Sequence, residues 1–302
     1  MVKHESICTK CGKKVESLSF ECDKCGGIIT LEYELPKSFS VKPENPGIYR
    51  YDSLLPLDTS IAVSLGEGNT PLLRLARIEE DFDIGEFYVK SEHQNPTGSF
   101  KDRAMAVSIP VAHAVGINMI AVASAGNASS SAAAYGAVYG MHVNAVVPED
   151  TTKSKLLQAL AFGAKVVKVK GKYSDAYGML KNAAIKNKWY NVSTTYINPY
   201  NVAGYRTVSY ELYEQLGKAP DWVLIPIGAG PLLAGVYQGF DDLLKLGEIE
   251  KIPKLAGIQS DRCAPIVKAF EEGSAKVDSW KMKEHTVASG LNDELVGYTN
   301  AG

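Results

Sequence analysis

Four of the five cysteines lie within the first 25 residues, where they form two C-x2-C pairs that are each followed by a glycine. The pairs are Cys8 with Cys11 and Cys22 with Cys25. Each pair can direct two thiolates at one ion, and four thiolates complete a tetrahedral site with no position left for water. The spacing therefore predicts a structural metal rather than a catalytic one. Two disulfides or redox-active pairs are the alternatives, which a cytosolic chain without a βαβ unit at this place disfavours.

Lys101 is the first candidate for covalent chemistry. It lies where a polar turn with Pro96 and Gly98 leads into a helical pattern. The N-terminal end of a helix disfavours an ammonium group, which lowers the cost of a neutral amine or of a Schiff base with a carbonyl compound. A solvated lysine at a helix start is the more common situation, so this residue needs support from elsewhere in the chain.

Two further junctions between a strand and a helix could bind a polar cofactor. One runs from Ser124 to Ser131 and includes Asn127; its hydroxyls, amide and backbone N–H groups can bind an anion, although helix capping alone would need only one of them. The other lies between Pro226 and Gly235, where small residues let backbone amides approach a phosphate. A lysine, an amide and a phosphate cradle suit a phosphorylated aldehyde, and pyridoxal 5′-phosphate is the candidate.

The elements that must position these groups follow a regular order. From residue 87 onward, short segments rich in β-branched residues alternate with helical segments, which is typical of parallel sheets in an α/β fold. The predicted strands cover residues 28–33, 87–89, 119–123, 143–147, 165–169, 222–227 and 255–259. The predicted helices cover residues 101–115, 129–139, 153–161, 174–186, 203–216, 232–244 and 264–272.

Charge and hydropathy limit the class of partner. The 302 residues include 32 basic and 34 acidic side chains, for a formal net charge of −2. This balance gives no electrostatic reason to expect nucleic acid binding. No run of about 18 apolar residues predicts a membrane span, and the first residues lack the apolar region of a signal peptide. The sequence therefore predicts a cytoplasmic protein that acts on a small molecule.

Several motifs together resemble the threonine synthases, within the tryptophan-synthase-β-like (fold-type II) class of pyridoxal-phosphate enzymes. The most specific is the run Asn-Pro-Thr-Gly-Ser-Phe-Lys-Asp-Arg from Asn95 to Arg103. The other matching stretches are residues 66–72, 124–131, 155–166, 198–200 and 257–259. The resemblance extends over nearly the whole chain.

The resemblance implies two open-sheet α/β domains with an N-terminal zinc-ribbon-like piece. The zinc-ribbon-like segment would cover residues 1–35. The large pyridoxal-phosphate domain would combine residues 36–100 and 200–302, and the small α/β domain would cover residues 101–199. The implied activity is that of a carbon–oxygen lyase, which converts O-phospho-L-homoserine and water to L-threonine and phosphate by β,γ-elimination and replacement. The implied assembly is a homodimer, and the implied metal is structural zinc.

The same resemblance assigns roles to single residues. Lys101 would form the Schiff base with pyridoxal phosphate and carry protons at Cα and Cβ of the substrate, while Asn127 would hydrogen-bond the O3′ atom of the cofactor. The loop that would hold the cofactor phosphate through backbone amides consists of Gly228, Ala229, Gly230, Pro231 and Leu232. The candidates for binding the carboxylate and phosphate of the substrate are Asn69, Thr70, Thr97, Ser99 and Ser124, with Lys155 and Arg206 as possible cations.

Two departures from the family pattern keep alternatives open. Ala203 stands where the threonine synthases usually carry a glutamate, and Ala-Gly at this place resembles the threonine and serine dehydratases. The last residues, 285–302, do not complete a structural unit, and the resemblance implies that the chain continues beyond Gly302, where the Ser or Thr facing the pyridine nitrogen would lie. A dehydratase, a phosphoserine-dependent sulfonate-forming synthase, or a non-catalytic ligand-binding protein on the same scaffold are the alternatives.

Overall fold

The computed structural model describes residues 1–193, 198–274, 276–281 and 286–293. The strands are β1 (Lys3–Cys8), β2 (Ile29–Glu34), β3 (Leu72–Arg74), β4 (Tyr88–Lys90), β5 (Met119–Ala123), β6 (His142–Pro148), β7 (Lys165–Val169), β8 (Tyr190–Asn191), β9 (Trp222–Pro226) and β10 (Lys254–Ile258). The helices are α1 (Ala76–Phe82), α2 (Lys101–Ala114), α3 (Asn127–Val138), α4 (Lys153–Ala161), α5 (Tyr173–Asn187), α6 (Pro199–Leu216), α7 (Pro231–Lys245) and α8 (Pro265–Glu271). Of the C-terminal stretch predicted not to complete a unit, residues 285 and 294–302 lie outside the described residues.

Parallel strands form the main sheets. A four-stranded sheet has the order β7-β6-β5-β8, with all of its neighbours parallel, and β9 pairs with β10 in a second parallel pair. Strands β1 and β2 form an antiparallel ribbon at the N-terminus, and β3 pairs with β4 in the same manner. Helices connect the parallel strands, as parallel pairing requires. The α/β fold with parallel sheets that the alternating pattern predicts is therefore confirmed.

The predicted strands and helices from residue 87 to 272 are all present, with ends that differ by a few residues. Helix α6 begins earlier than predicted, at Pro199. The side chain of Asn198 caps the helix by accepting a hydrogen bond from the Tyr200 amide at 3.0 Å. Proline suits the first helical position because the N–H that it lacks would have no acceptor within the helix. The prediction missed β1, β3, β8 and α1. Strands β3 and β8 have only three and two residues, and polar or charged side chains make up most of β1 and α1.

Helix α2, which begins with Lys101, crosses the interior. Pro110 lies inside it and lacks the N–H that would bond to the carbonyl of Ala106. The buried hydroxyl of Tyr49 donates to that carbonyl instead, at 2.8 Å, so the helix continues through the proline. Helix α6 packs closely against α2 at Gly204, where a Cβ atom would lie 2.1 Å from the backbone oxygen of Arg103. This crossing places Tyr205 of α6 beside the first turn of α2.

The two largest groups of buried apolar side chains lie around the four-stranded sheet and around the β9–β10 pair. One includes Met105 of α2 and Ile120 of β5, and the other includes Ile225 of β9 and Phe240 of α7. Strands β5 and β9 each belong to a parallel pair, and helices α3 and α7 follow them directly. The junctions β5–α3 and β9–α7 thus lie at carboxyl ends of parallel strands, the usual place for a ligand site in such folds. The domain boundaries at residues 35, 100 and 200 stay a prediction. Among the described helices, none is both long and apolar enough to cross a bilayer.

Candidate active site

Lys101 has an amine that is largely removed from water. It is the first residue of α2, after the turn formed by residues 95–100, and its Nζ lies 4.6 Å from the ring centroid of Phe100 and 5.9 Å from that of Tyr205. Burial lowers the pKa of Lys101 to about 7, and the nearby carboxylate of Asp293 opposes that shift. Much of the lysine is therefore neutral near pH 7, the form that attacks carbonyl carbon.

The next residue, Asp102, holds the lysine turn in place. Its carboxylate is fully buried and accepts hydrogen bonds from the amide and hydroxyl of Thr97, at 2.7 and 2.6 Å. It also accepts from the hydroxyl of Ser131 on α3 at 2.5 Å. Burial raises the pKa of Asp102, and these hydrogen bonds oppose the shift. The carboxylate thereby ties the lysine turn to the helix whose first residue is Asn127.

Asn127 lies at the start of α3, directly beyond the carboxyl end of β5, and is exposed. The preceding turn is shaped by its own hydroxyl groups. The Ser124 hydroxyl accepts from the Gly126 amide at 3.2 Å, and the Ser129 hydroxyl donates to the Gly126 carbonyl at 2.8 Å. These bonds order the backbone and leave the Asn127 side chain facing solvent-accessible space at the strand end.

The glycine loop, residues 228–232, leads from β9 into the 15-residue helix α7. Gly230 has φ +88°, a conformation that side chains disfavour, and Pro231 begins the helix. A Cβ atom at Gly228 would be in van der Waals contact with the Leu291 oxygen at 3.6 Å and with the Asp293 Cβ and the Gly290 oxygen at 3.8 Å, so residues 290–293 pack beside the loop. Since the first amides of a helix lack intrahelical acceptors, this loop can bind a phosphate.

These groups fit pyridoxal phosphate. Asp293 lies near Gly228 and interacts electrostatically with Lys101, so the amine and the glycine loop lie on the same side of the molecule. The donor set consists of a desolvated amine for an aldehyde, backbone amides for a phosphate and the amide of Asn127 for a ring oxygen. The sequence analysis missed Asp293 because no motif around it indicates that it lies near Lys101, which is far earlier in the chain.

Two of the five candidate substrate residues already donate to carboxylates. The hydroxyl of Thr70 donates to Glu92 at 2.8 Å, and that of Thr97 donates to Asp102. An ionised carboxylate only accepts, so these protons are committed and the two hydroxyls can offer a substrate only their lone pairs.

The other three candidates retain donors. The hydroxyl of Ser99 accepts from the Lys101 amide at 3.3 Å, and a hydroxyl that accepts in this way can still donate. Ser124 is in the same situation through the Gly126 amide. The side-chain oxygen of Asn69 accepts from Arg50 at 3.0 Å, which leaves the amide nitrogen for another acceptor. As donors to an anion, Asn69, Ser99 and Ser124 are the stronger candidates.

The suggestion that Arg206 serves as a substrate cation is wrong. Its guanidinium is buried, pairs with Asp242 at 2.9 Å and donates to the carbonyl of Leu31 at 2.7 Å. It also lies 3.8 Å from the centroid of the Tyr33 ring. Lys155, in contrast, is exposed on α4.

A buried charge cluster beside the lysine was missed from the sequence. Arg103 is fully buried; it pairs with Glu92 at 2.7 Å and with Glu211 at 2.9 Å, and Lys90 also pairs with Glu211. Burial opposes ionisation of Glu211, but Arg103 and Lys90 outweigh it and lower its pKa to about 2. Because these residues are distant in sequence, no local pattern could have predicted their contact.

The cluster also holds the candidate substrate loop. The Glu211 carboxylate accepts hydrogen bonds from the backbone amides of Asn69 and Thr70, each at 2.8 Å. The Asn69 backbone has φ +49°, a conformation uncommon for a residue with a side chain. The carboxylate therefore stabilises a turn that would otherwise be unfavourable, next to the helix that carries Lys101.

The four N-terminal thiols converge. Their Sγ atoms all lie within 4.8 Å of one another, with 3.5 Å between Cys8 and Cys25 and 3.7 Å between Cys11 and Cys22. A disulfide would require about 2.05 Å. Four Zn–S bonds of about 2.3 Å in a tetrahedron place the sulfurs about 3.8 Å apart. The cluster thus has the spacing of a four-thiolate metal site.

Comparisons with known proteins extend these observations. Residues 63–300 match the family described as pyridoxal-phosphate dependent enzyme. The threonine synthase of Methanocaldococcus jannaschii is 37% identical over 295 residues, which cover 94% of this chain and 72% of that protein. The threonine synthase of Methanosarcina acetivorans is 35% identical over 292 residues, covering 94% of this chain and 71% of that protein.

Solved structures share the fold. Serine racemase from Dictyostelium discoideum superposes with a TM-score of 0.63 at 25% identity, covering 74% of this chain and 68% of its own. The processed form of threonine deaminase isoform 2 from Solanum lycopersicum gives a TM-score of 0.65 at 23% identity, covering 88% of this chain and 72% of its own.

Proposed function

This chain belongs to the pyridoxal-phosphate dependent enzymes and, among them, to the threonine synthases, and we propose that it converts O-phospho-L-homoserine and water to L-threonine and phosphate. The observation that carries the proposal is the desolvated amine of Lys101 on the same side of the molecule as the glycine loop, with Asp293 near both. Within that reaction, phosphate leaves from Cγ of the substrate and water adds at Cβ.

Bound pyridoxal phosphate supplies an electron sink that stabilises negative charge at the substrate Cα. The protein supplies positions and protons. The neutral amine of Lys101 would bond to the aldehyde, and the backbone amides of the glycine loop would hold the phosphate. Asn127 would donate a hydrogen bond from its side-chain amide to the O3′ atom. With a pKa of about 7, Lys101 can both accept and return protons at Cα and Cβ near neutral pH.

Substrate binding falls to the groups around the lysine turn. Asn69, Ser99 and Ser124 offer donors for the carboxylate and phosphate of the substrate, and Thr70 and Thr97 offer acceptors. A phosphate dianion in a closed site needs several such donors, together with a cation such as Lys155. A dehydratase acting on a neutral hydroxyl would need donors for the substrate carboxylate but not for a phosphate.

The test compares kcat/KM for O-phospho-L-homoserine and for L-threonine dehydration, with product identification. We expect the first to be larger, and inorganic phosphate to compete with the substrate. The second candidate is a dehydratase, which Ala203 favours because this buried position on α6 carries no acidic side chain. A larger value for threonine without inhibition by phosphate would establish that alternative.

We also propose that the four cysteines hold structural zinc. Four thiolates leave no open coordination position, so removing the metal should lower the melting temperature and leave the rate constants of the folded protein little changed. Replacing Cys8 and Cys11 together with serine should have the same effect. Protein grown with zinc that contains no stoichiometric metal, and whose thiols titrate as free, would refute the proposal.

The finer organisation is also part of the proposal. The zinc-ribbon-like segment would cover residues 1–35, with the large domain in residues 36–100 and 200–302 and the small domain in residues 101–199. Two copies would associate as a homodimer in the cytoplasm. Contacts support the docking of the first segment, since the Tyr200 hydroxyl lies 3.2 Å from His4 and 2.9 Å from Ser17.

A further inference from the structure

Gln259 connects the glycine loop to helix α8. Its side-chain nitrogen donates to the carbonyl of Gly228 at 3.2 Å. Its side-chain oxygen accepts from the amides of Ile266 and Val267 at the start of α8, at 2.9 and 3.1 Å. The residue follows β10 directly, so a rigid strand end carries it. One amide group therefore joins the loop after β9 to the helix after β10.

The contact with Gly228 sets the direction of a backbone amide. The Gly228 carbonyl and the Ala229 N–H belong to one planar trans peptide, in which the two groups point in opposite directions. Holding the carbonyl toward Gln259 therefore turns the Ala229 N–H to the other side of the loop. Glycine at 228 would otherwise allow this peptide to rotate readily.

We propose that Gln259 is a positioning residue that orients the Gly228–Ala229 peptide so that the Ala229 N–H is presented to the phosphate of the cofactor. The inference rests on the proposed function, which assigns the phosphate to this loop. An amide side chain is required because the position must donate to one carbonyl and accept from two N–H groups. A carboxylate only accepts, so glutamate satisfies α8 and opposes the Gly228 carbonyl.

Gln259→Glu therefore separates the two roles of the side chain. It retains the acceptor for the α8 amides, where a negative charge is favourable, so the melting temperature should hold. It removes the donor to Gly228, and an unpaired or repelled carbonyl should rotate the peptide. We expect pyridoxal phosphate to bind about tenfold more weakly, or worse, to the full chain. Pyridoxal, which has no phosphate, should bind as it does to the unchanged protein.

The dissociation constants for both compounds are measured by equilibrium dialysis with the visible absorbance of the bound cofactor. Gln238→Glu is the matched control, because Gln238 lies on α7 but pairs with Arg206 at 3.1 Å and Thr30 at 3.3 Å. The control should bind both compounds normally. If Gln259→Glu does not fold, Gln259→Met, which removes the same donor, should show the same phosphate-specific loss.

Two results would overturn the inference while the proposed function stands: unchanged pyridoxal phosphate binding in the folded variant, or equal weakening for pyridoxal and pyridoxal phosphate. The second would show a general disturbance of the site. Failure of the unchanged protein to bind pyridoxal phosphate would instead refute the proposed function, and this inference with it.

Discussion

Two cations on the first turn of α2 experience opposite environments. Lys101 lies in the lysine pocket, formed with Phe100 and Tyr205, and burial lowers its pKa to about 7. Arg103 lies in the buried charge cluster described above, which is called the arginine cluster from here on. Burial would lower the pKa of Arg103 as well, but Glu92 and Glu211 outweigh burial and hold that pKa above the ordinary range. Arg103 is the more deeply buried of the two and yet stays charged, so partners rather than depth decide the charge.

The difference has a chemical meaning. The lysine pocket gives up solvation without full compensation and thereby keeps a reactive amine near neutral pH. The arginine cluster compensates its charge and uses it to hold the turn at Asn69 and Thr70. A buried pair of this kind adds little net stability over an apolar core, but removing one partner leaves a buried charge alone and is costly. The pocket is thus expected to control turnover, and the cluster to control stability.

Lys101→Ala should have the largest effect. Removing the amine removes both the covalent anchor and the proton carrier, so turnover should fall at least about a thousandfold. The visible absorbance of the bound cofactor should disappear, while circular dichroism and the melting temperature stay close to those of the unchanged protein. Lys153→Ala, at an exposed position on α4, is the control and should keep full activity. Normal turnover in Lys101→Ala would refute the assignment.

Glu211→Gln tests the other member of the comparison. It removes the charge that faces Arg103 and Lys90, and should lower the free energy of unfolding by about 3 kcal/mol or more, measured by urea denaturation. Glu79→Gln is the control, because Glu79 pairs with the half-exposed Arg74 at the surface, at 3.0 Å. Its loss should be under about 1 kcal/mol. Equal losses in the two variants would contradict the distinction between buried and surface pairs.

The comparison also shows where sequence reasoning succeeds. Alternation of strands and helices is a local pattern, and it correctly predicted the elements from β4 to α8 except the two-residue strand β8. The turn before Lys101 and the loop at residues 228–232 are local as well, so residue types and spacing alone indicate a cofactor site there. That site assignment stays a prediction until cofactor binding is measured.

The sequence could not predict contacts between residues that are far apart along the chain. A sequence shows that Arg206 carries a charge but not that Asp242 faces it, so Arg206 was wrongly suggested as a substrate cation. Arg103 stands within the lysine motif at residues 95–103, yet its role depends on Glu211, which is far along the chain. Thr70 differs from Asn69 for the same reason, since the fold brings its hydroxyl to Glu92. Thr97, in contrast, donates to Asp102 within the lysine motif itself.

The smallest effect concerns pH. Only the neutral amine of Lys101 reacts with an aldehyde, so the rate at which the cofactor-free protein takes up pyridoxal phosphate should rise about tenfold per pH unit below pH 7 and level off above it. The carboxylate of Asp293 favours the charged amine, so Asp293→Asn should move the midpoint to lower pH. Arg103 stays charged throughout and adds no step.

The lowered pKa of Lys101 also makes the free energy of unfolding depend on pH. The unfolded lysine keeps its proton up to its ordinary pKa of 10.5, whereas the folded one releases it near pH 7. Between these values the unfolded state binds more protons, so the contribution of Lys101 to the free energy of unfolding increases with pH. Urea denaturation of the cofactor-free protein at pH 7 and pH 9 should show this increase, and Lys101→Met should reduce it. An uptake midpoint near 10, together with no difference between the two proteins, would mean that the amine is solvated and that the contrast with Arg103 does not exist.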